Sequence, residues 1–228
     1  MLNPETRKLI ACCLLLPGLL FSSLAIAALP QMLEAMFNDI NLGDTGSVED
    51  LLQHGVDPDV QDEQGYSALM VAAREGQLKV AKVLLAHGAK VYKRNQFGET
   101  ALMLAAYNGH NVLIDLLIAH GADLHANRNG WTPLMYASYA GHTATVKQLL
   151  AYGEPVDART SAGLTALMLA CRQGYIEVVE LLLRLGADPN LKSKNGQSAT
   201  QMALANGNTD IADLLLQAGA QEKDSRGD

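Results

Sequence analysis

The sequence predicts an all-α solenoid, a stack of short helix-turn-helix repeats, and two observations point to this class. Glycines recur every 33 residues in three parallel series, with a single step of 32 in each, and self-similarity at such a period is typical of stacked repeat proteins. Apolar residues make up 49% of the chain but aromatic residues only 5%, and this Leu- and Ala-rich composition favours closely packed helices over a β-sandwich. The glycine series are Gly65, Gly98, Gly130, Gly163 and Gly196; Gly43, Gly76, Gly109, Gly141, Gly174 and Gly207; and Gly55, Gly88, Gly121, Gly153, Gly186 and Gly219.

Each repeat carries the signals for two helices in a fixed order, as in "GLTALMLACRQGYIEVVELLLRLGAD". A Ser or Thr such as Thr100 or Thr165 follows the turn glycine and is placed to cap the first helix. A glycine ends this Ala-rich helix, and a second helix follows with paired leucines such as Leu149-Leu150. The last glycine then closes the second helix in the left-handed conformation.

About five repeats and a degenerate N-terminal cap unit are predicted, the cap unit having helices over residues 31–40 and 47–54. The single step of 32 falls between Gly121 and Gly130. That shortening affects the loop between two repeats, so we expect it to leave the helix packing unchanged. The repeats begin near Asp62, Asn95, Asn127, Thr160 and Ser193.

The segments "GWTPLMYASYAGH" and "GADPNLKSKNG" resemble the ankyrin repeat family, whose repeats carry G-x-T-P-L-H-x-A-A-x-x-G-H and G-A-D-x-N. The resemblance implies a repeat domain over residues 28–220, in which a hairpin-like finger accompanies each pair of antiparallel helices. It also implies a protein-binding scaffold, although the fold does not identify the partner. Residues 221–228 are predicted to be a polar, disordered tail.

Residues 1–27 have the order of charged, apolar and small residues that a secretory signal peptide requires. Arg7 and Lys8 precede an apolar run, and Ala25-Ile26-Ala27 offers a cleavage site after Ala27. We therefore expect a periplasmic or secreted protein, and the lack of an N-x-[ST] sequon favours a bacterial periplasm. Retention of the run as a membrane anchor is the alternative, since the run is about long enough to span a bilayer. The "LIAC" segment looks like a lipoprotein acylation site, but it precedes most of the apolar run instead of following it.

Cleavage would leave Cys171 as the only cysteine, so we expect the domain to be stabilised by packing without a disulfide. Cleavage also removes one acidic and two basic residues, which takes the formal charge from −7 to −8. No basic patch then suffices to neutralise a phosphate backbone, so nucleic acid is not expected as a partner. We predict a monomer with no cofactor and no stable membrane anchor after cleavage.

A methionine replaces the family's histidine in four successive repeats, at Met70, Met103, Met135 and Met168. Methionine packs adaptably in cores, so we interpret the row as a buried ladder. A metal-handling role for these thioethers is the alternative.

The remaining reactive side chains are expected to have structural roles. His54, His87 and His120 should lie at the C-terminal ends of second helices, where positive charge is favourable. Cys171 should be a small buried thiol. The acidic stretch "DPDVQDEQG" at residues 57–65 should be a solvated fingertip, with weak divalent binding as its alternative.

The family resemblance implies that certain positions around the turn glycine and at the end of the first helix face a concave groove. Five of the chain's few aromatic residues fall on these positions, and Tyr136 borders them. Trp, Tyr and Arg dominate binding energies at interfaces, so we predict partner binding there; shielding of the joints between repeats by Trp131 and Tyr139 is the alternative. The predicted partner-binding residues are Tyr66, Arg74, Phe97, Tyr107, Arg128, Trp131, Tyr136, Tyr139 and Arg172.

The predicted function is an exported, non-catalytic module that docks a protein partner in this groove, in its sharper form an immunity or inhibitor protein. No nucleophile has a recognisable base and orienter beside it. The alternatives are a scaffold or stabiliser of a resident periplasmic enzyme, and a metal-handling protein that uses the methionine row.

Overall fold

The computed structural model describes residues 23–124 and 130–221, which form twelve α-helices. These described residues contain no strand, only two isolated antiparallel bridges, Gln61 with Ser67 and Lys192 with Ser198. The all-α class predicted from the glycine period is therefore confirmed. The helices are α1 (Ser23–Leu42), α2 (Thr45–Gln53), α3 (Ala68–Arg74), α4 (Leu78–Ala86), α5 (Ala101–Tyr107), α6 (Asn111–Ala119), α7 (Pro133–Ala140), α8 (Thr143–Ala151), α9 (Ala166–Gln173), α10 (Ile176–Arg184), α11 (Ala199–Ala205) and α12 (Thr209–Gln217).

The helices pack within two compact units, which among the described residues are 23–102 with 115–122, and 103–114 with 123–124 and 130–221. In the first unit α1 packs on α2 and α3, and α4 packs on the same two helices. In the second unit the first helices α7, α9 and α11 pack in series, and the second helices α8, α10 and α12 do the same. Each of these first helices also packs on the second helix of its own repeat. Both units thus show the stacking expected of a solenoid.

Helix α1 is twice as long as the predicted segment 31–40, because it covers Ser23–Leu42. Its side chains Met32, Met36 and Ile40 are buried and share one face of the helix. The helix runs through Ala25-Ile26-Ala27. The domain boundary after Ala27 stays a prediction, and residues 1–22 of the predicted signal and 222–228 of the predicted tail lie outside the described residues.

Every glycine of the three series has a left-handed backbone, with φ between 71° and 93°. At Gly141 both the backbone conformation and the space available require a glycine. It ends α7 at φ 82°, and a Cβ atom there would lie 2.7 Å from the ring of Tyr175. The prediction that glycines close the helices in this conformation is confirmed.

The methionine row is buried as predicted, since none of the four side chains is more than 1% exposed. Met70 also helps to begin its helix. Its sulfur accepts a hydrogen bond from the Ser67 backbone N–H at 3.4 Å, and the Ser67 hydroxyl accepts one from the Met70 N–H at 3.2 Å. In the last repeat Gln201 occupies the same position and accepts from the Ser198 N–H at 3.0 Å. In these two repeats the residue at this position completes a capping box.

Candidate partner-binding surface

Four aromatic side chains of the second unit form one cluster, which we call the aromatic cluster: Tyr107, Trp131, Tyr136 and Tyr139. The Trp131 ring lies 5.3 Å from that of Tyr136 and 5.8 Å from that of Tyr139, measured between centroids. The Tyr107 ring lies 6.4 Å from each of the same two tyrosines. Each ring thus contacts two others, at separations typical of favourable aromatic pairs.

The local sequence explains how α7 presents three of these rings. Thr132 caps the helix by accepting from the Met135 N–H at 3.3 Å, and Pro133 at the first helical position has no N–H that would need a partner. Trp131 therefore lies immediately before the helix. Tyr136 and Tyr139 are three residues apart and share one side of α7.

A column of side chains crosses the second unit at one repeat position. Tyr107 and Tyr139 stack with 24° between their ring planes. The guanidinium carbon of Arg172, the next residue of the column, lies 5.8 Å from the Tyr139 centroid. A guanidinium over an aromatic face is stabilised by the charge distribution of the ring, so the column holds Arg172 beside the aromatic cluster.

The cluster is open to solvent on part of its surface. Tyr107 is 42% exposed, and Trp131, Tyr136 and Tyr139 are half-buried. Half-burial among other rings means that these side chains contribute to packing inside the unit as well as to its surface. Fixed aromatic side chains of this kind lose little conformational entropy when a partner binds.

The first unit holds a smaller group of the predicted residues. Arg74 lies 5.4 Å from the centroid of the Tyr66 ring and its Nε donates to Glu75 Oε1 at 2.7 Å. Burial, and then the negative charge of Glu99, raise the pKa of the Tyr66 hydroxyl, which keeps it neutral. Phe97 is 61% exposed.

The structure thus brings five predicted residues together in the second unit, namely the aromatic cluster and Arg172. Tyr66 and Arg74 form a pair in the first unit. Arg128 lies outside the described residues. The single groove that would join both groups stays a prediction.

Glu154 is a buried carboxyl that the repeat pattern did not predict. It is 4% exposed, and its two oxygens lie 3.0 and 3.1 Å from the Leu134 backbone nitrogen, whose N–H they accept. Burial raises the pKa of Glu154 to about 7, against the lowering effect of hydrogen bonds from the Thr132 hydroxyl and the Leu134 N–H. The signal in the sequence was "GEP" where the neighbouring repeats have "GAD" or "GAK". Its carboxyl holds the first turn of α7, the helix of the aromatic cluster.

The histidines and Cys171 have structural surroundings. Nδ1 of each of His54, His87 and His120 lies 2.7 to 3.0 Å from the carbonyl oxygen four residues earlier, which places them at helix ends as predicted. Cys171 is fully buried, and burial raises the pKa of its thiol to about 12. Among the described residues no three His, Cys, Asp or Glu side chains are placed to hold a metal ion.

The acids of the predicted fingertip at residues 57–65 are partly engaged in the fold. Asp59 lies 3.1 Å from Lys90 Nζ and accepts from the Lys90 backbone N–H at 2.8 Å. Asp62 accepts from the backbone N–H groups of Gln64 and Tyr66. The prediction of a solvated fingertip was therefore wrong for Asp59, whose side chain is only 8% exposed, whereas Asp62 is half-buried and accepts from backbone donors at the surface.

Comparison with known proteins agrees with this architecture. The chain matches the family described as Ankyrin repeats (3 copies) over residues 32–128, 88–160, 112–193 and 147–226. Together the matches cover most of the sequence, so the chain belongs to the ankyrin repeat family. No curated protein matches the chain. Among the described residues, none of the helices is long and apolar enough to cross a membrane.

Proposed function

We propose that this chain is a non-catalytic module that binds a protein partner through the aromatic cluster of its second unit. Ankyrin repeats are in general protein-binding scaffolds, which supports the general class. The observation that carries the specific proposal is the grouping of Tyr107, Trp131, Tyr136 and Tyr139 in a protein that is only 5% aromatic. A rigid patch of Trp and Tyr is the usual composition of an interface hot spot.

The finer form of the proposal is an exported inhibitor or immunity protein that occludes an enzyme or toxin. Its support is the N-terminal segment, where Arg7 and Lys8 precede an apolar run and an Ala-Ile-Ala site. A preorganised surface suits occlusion, because little ordering entropy opposes binding.

The test is a cross-linked capture from the native cell, using the full chain with a C-terminal affinity tag so that any N-terminal processing takes place. Trp131→Ala and Tyr107→Ala remove rings of the cluster. Tyr92→Ala is the matched control, since Tyr92 is 65% exposed and is not in the cluster. Thermal melting of each variant establishes that it folds.

A partner retained by the wild type and the control but lost by both cluster variants is the expected result. Affinity measured on that partner should fall about thirtyfold or more for Trp131→Ala, as for an interface hot spot. Equal retention by all four proteins would contradict the proposal. Fractionation of the same cells tests whether the protein is exported, which the finer proposal requires and the general proposal does not.

A further inference from the structure

The charges of the last two repeats are segregated along the sequence. Residues 158–176 and 189–209, which contain the finger and first helix of each repeat, include Arg159, Arg172, Lys192 and Lys194 but no Asp or Glu. The second helices α10 and α12 carry Glu177, Glu180, Asp210 and Asp213 against one base, Arg184, and the two basic stretches begin just after Asp157 and Asp188. In a chain with a formal charge of −7, such a basic side is not a consequence of overall composition.

The fingers that carry three of these cations stack in series after the finger that precedes Trp131. A Cβ atom on Gly130, the residue before Trp131, would lie 2.8 Å from Thr160 Cα. The next finger follows directly, since the Lys194 backbone N–H donates to the Ala162 carbonyl at 2.9 Å. Trp131 and the cations of the next two fingers therefore lie along one edge of the second unit.

We call Arg159, Arg172, Lys192 and Lys194 the basic rim. Arg159, Lys192 and Lys194 are exposed, and Arg172 is half-buried over Tyr139. The Arg159 guanidinium donates to the Lys192 backbone carbonyl, which ties the two neighbouring fingers together. The ion pairs of the described residues involve His54, Arg74 and Lys90, so the rim has no carboxylate partner there.

We infer that the partner contacts this surface with an acidic segment, in which Asp or Glu side chains flank an aromatic or aliphatic anchor. This inference rests on the proposed function and adds the chemistry of the partner. The anchor packs on the aromatic cluster, while the carboxylates neutralise the rim. Complementary charges of this kind accelerate association and reject partners of like charge.

The experiment selects binders from a random 12-residue peptide library displayed on phage, with the purified full chain as bait at 50 mM NaCl. Selected peptides are synthesised, and their affinities are measured against three variants. Trp131→Ala tests the anchor. Lys192→Gln with Lys194→Gln tests the rim, and Lys79→Gln with Lys82→Gln is the control, because these two lysines are exposed on α4 and the change in charge is equal.

We expect selected peptides rich in Asp and Glu around an apolar residue. The rim variant should bind them about tenfold more weakly at 50 mM NaCl and about twofold more weakly at 500 mM, since salt screens exposed charges. The α4 control should stay within about twofold of the wild type under both conditions.

Other results would separate the two proposals. Neutral or basic peptides that still require Trp131 would overturn the acidic segment and leave the proposed function intact. Peptides that bind Trp131→Ala as well as wild type would overturn both. A 20-nucleotide single-stranded DNA that competes as well as the acidic peptides would also overturn this inference, because the surface would then not be selective for an acidic peptide segment.

Discussion

Replacement of Glu154 by glutamine should make the second unit more stable at alkaline pH. The folded pKa of this carboxyl is about 7, whereas the unfolded value is about 4.3. The folded state therefore binds the proton more tightly than the unfolded state. The stabilisation from this proton is complete below about pH 4 and is lost as the pH rises through about 7.

The size of the effect follows from these two pKa values. A shift of one pKa unit corresponds to about 1.4 kcal/mol, so the contribution of Glu154 to the free energy of unfolding should fall by about 2.5 kcal/mol between pH 5 and pH 8.5. Glutamine has no charge to desolvate, and its carbonyl oxygen can accept from the Leu134 N–H. The free energy of unfolding of the variant should equal that of the wild type or be slightly lower at pH 5, and it should be about 2 kcal/mol higher at pH 8.5.

Trp131 provides the assay, because it is the only tryptophan of the chain and lies next to Thr132, which bonds Glu154. Urea unfolding followed by its fluorescence, at several values between pH 5 and pH 8.5, gives the free energy of unfolding around this site. All other titrating groups are shared, so the difference between the two proteins isolates Glu154. Glu180→Gln changes an exposed position of α10. Its free energy of unfolding should differ from that of the wild type by the same amount at every pH.

Parallel curves for wild type and Glu154→Gln, with a difference constant to within about 0.5 kcal/mol, would refute the reasoning. They would mean that the carboxyl is solvated in the folded state. A titration midpoint near 4.5 in the wild type would lead to the same conclusion.

Three further predictions concern the repeat core. Gly141→Ala should lower the melting temperature more than Gly55→Ala, because both residues have positive φ but only the first would press a Cβ atom on a neighbouring ring; equal losses would contradict the contact with Tyr175. In a variant with Cys12→Ser and Cys13→Ser, Cys171 should not react with a thiol reagent at pH 8 until denaturant is added, since burial raises its pKa to about 12, and immediate colour development in the native protein would show that it is accessible. Met135→Ala should cost about 2–5 kcal/mol in urea unfolding, whereas a loss below about 1 kcal/mol would mean that the side chain is not in the core.

The repeated features were the predictable part of the fold. A glycine that must adopt φ near 80° recurs wherever the backbone turns in the same way, so the period alone locates the turns along the chain. The burial of Met70 and its equivalents followed from the same logic. The first part of α1 did not, because residues 23–30 contain no repeat signal.

In the candidate site, too, the residues that follow the repeat were predictable and the others were not. The positions of Tyr107, Tyr139 and Arg172 follow from the repeat, which is why the sequence could place them in one column. Asp59 of the fingertip was misjudged because sequence composition suggests solvation, whereas its carboxylate accepts from a specific backbone N–H group. Such hydrogen bonds depend on the three-dimensional positions of the two groups and are difficult to predict from a single sequence.

Departures from the repeat carry more weight than matches when function is sought in a solenoid. A residue that matches its equivalents in other repeats is explained by the shared backbone, but Glu154 is the only acidic residue at its repeat position and Trp131 is the only tryptophan of the chain. Both lie at the first turn of α7, where one is half exposed and the other buried. The buried Glu154 carboxyl costs stability above neutral pH, but it also accepts from the Leu134 N–H and so fixes the first turn of α7. The helix that carries Tyr136 and Tyr139 is thereby held in place beside Trp131.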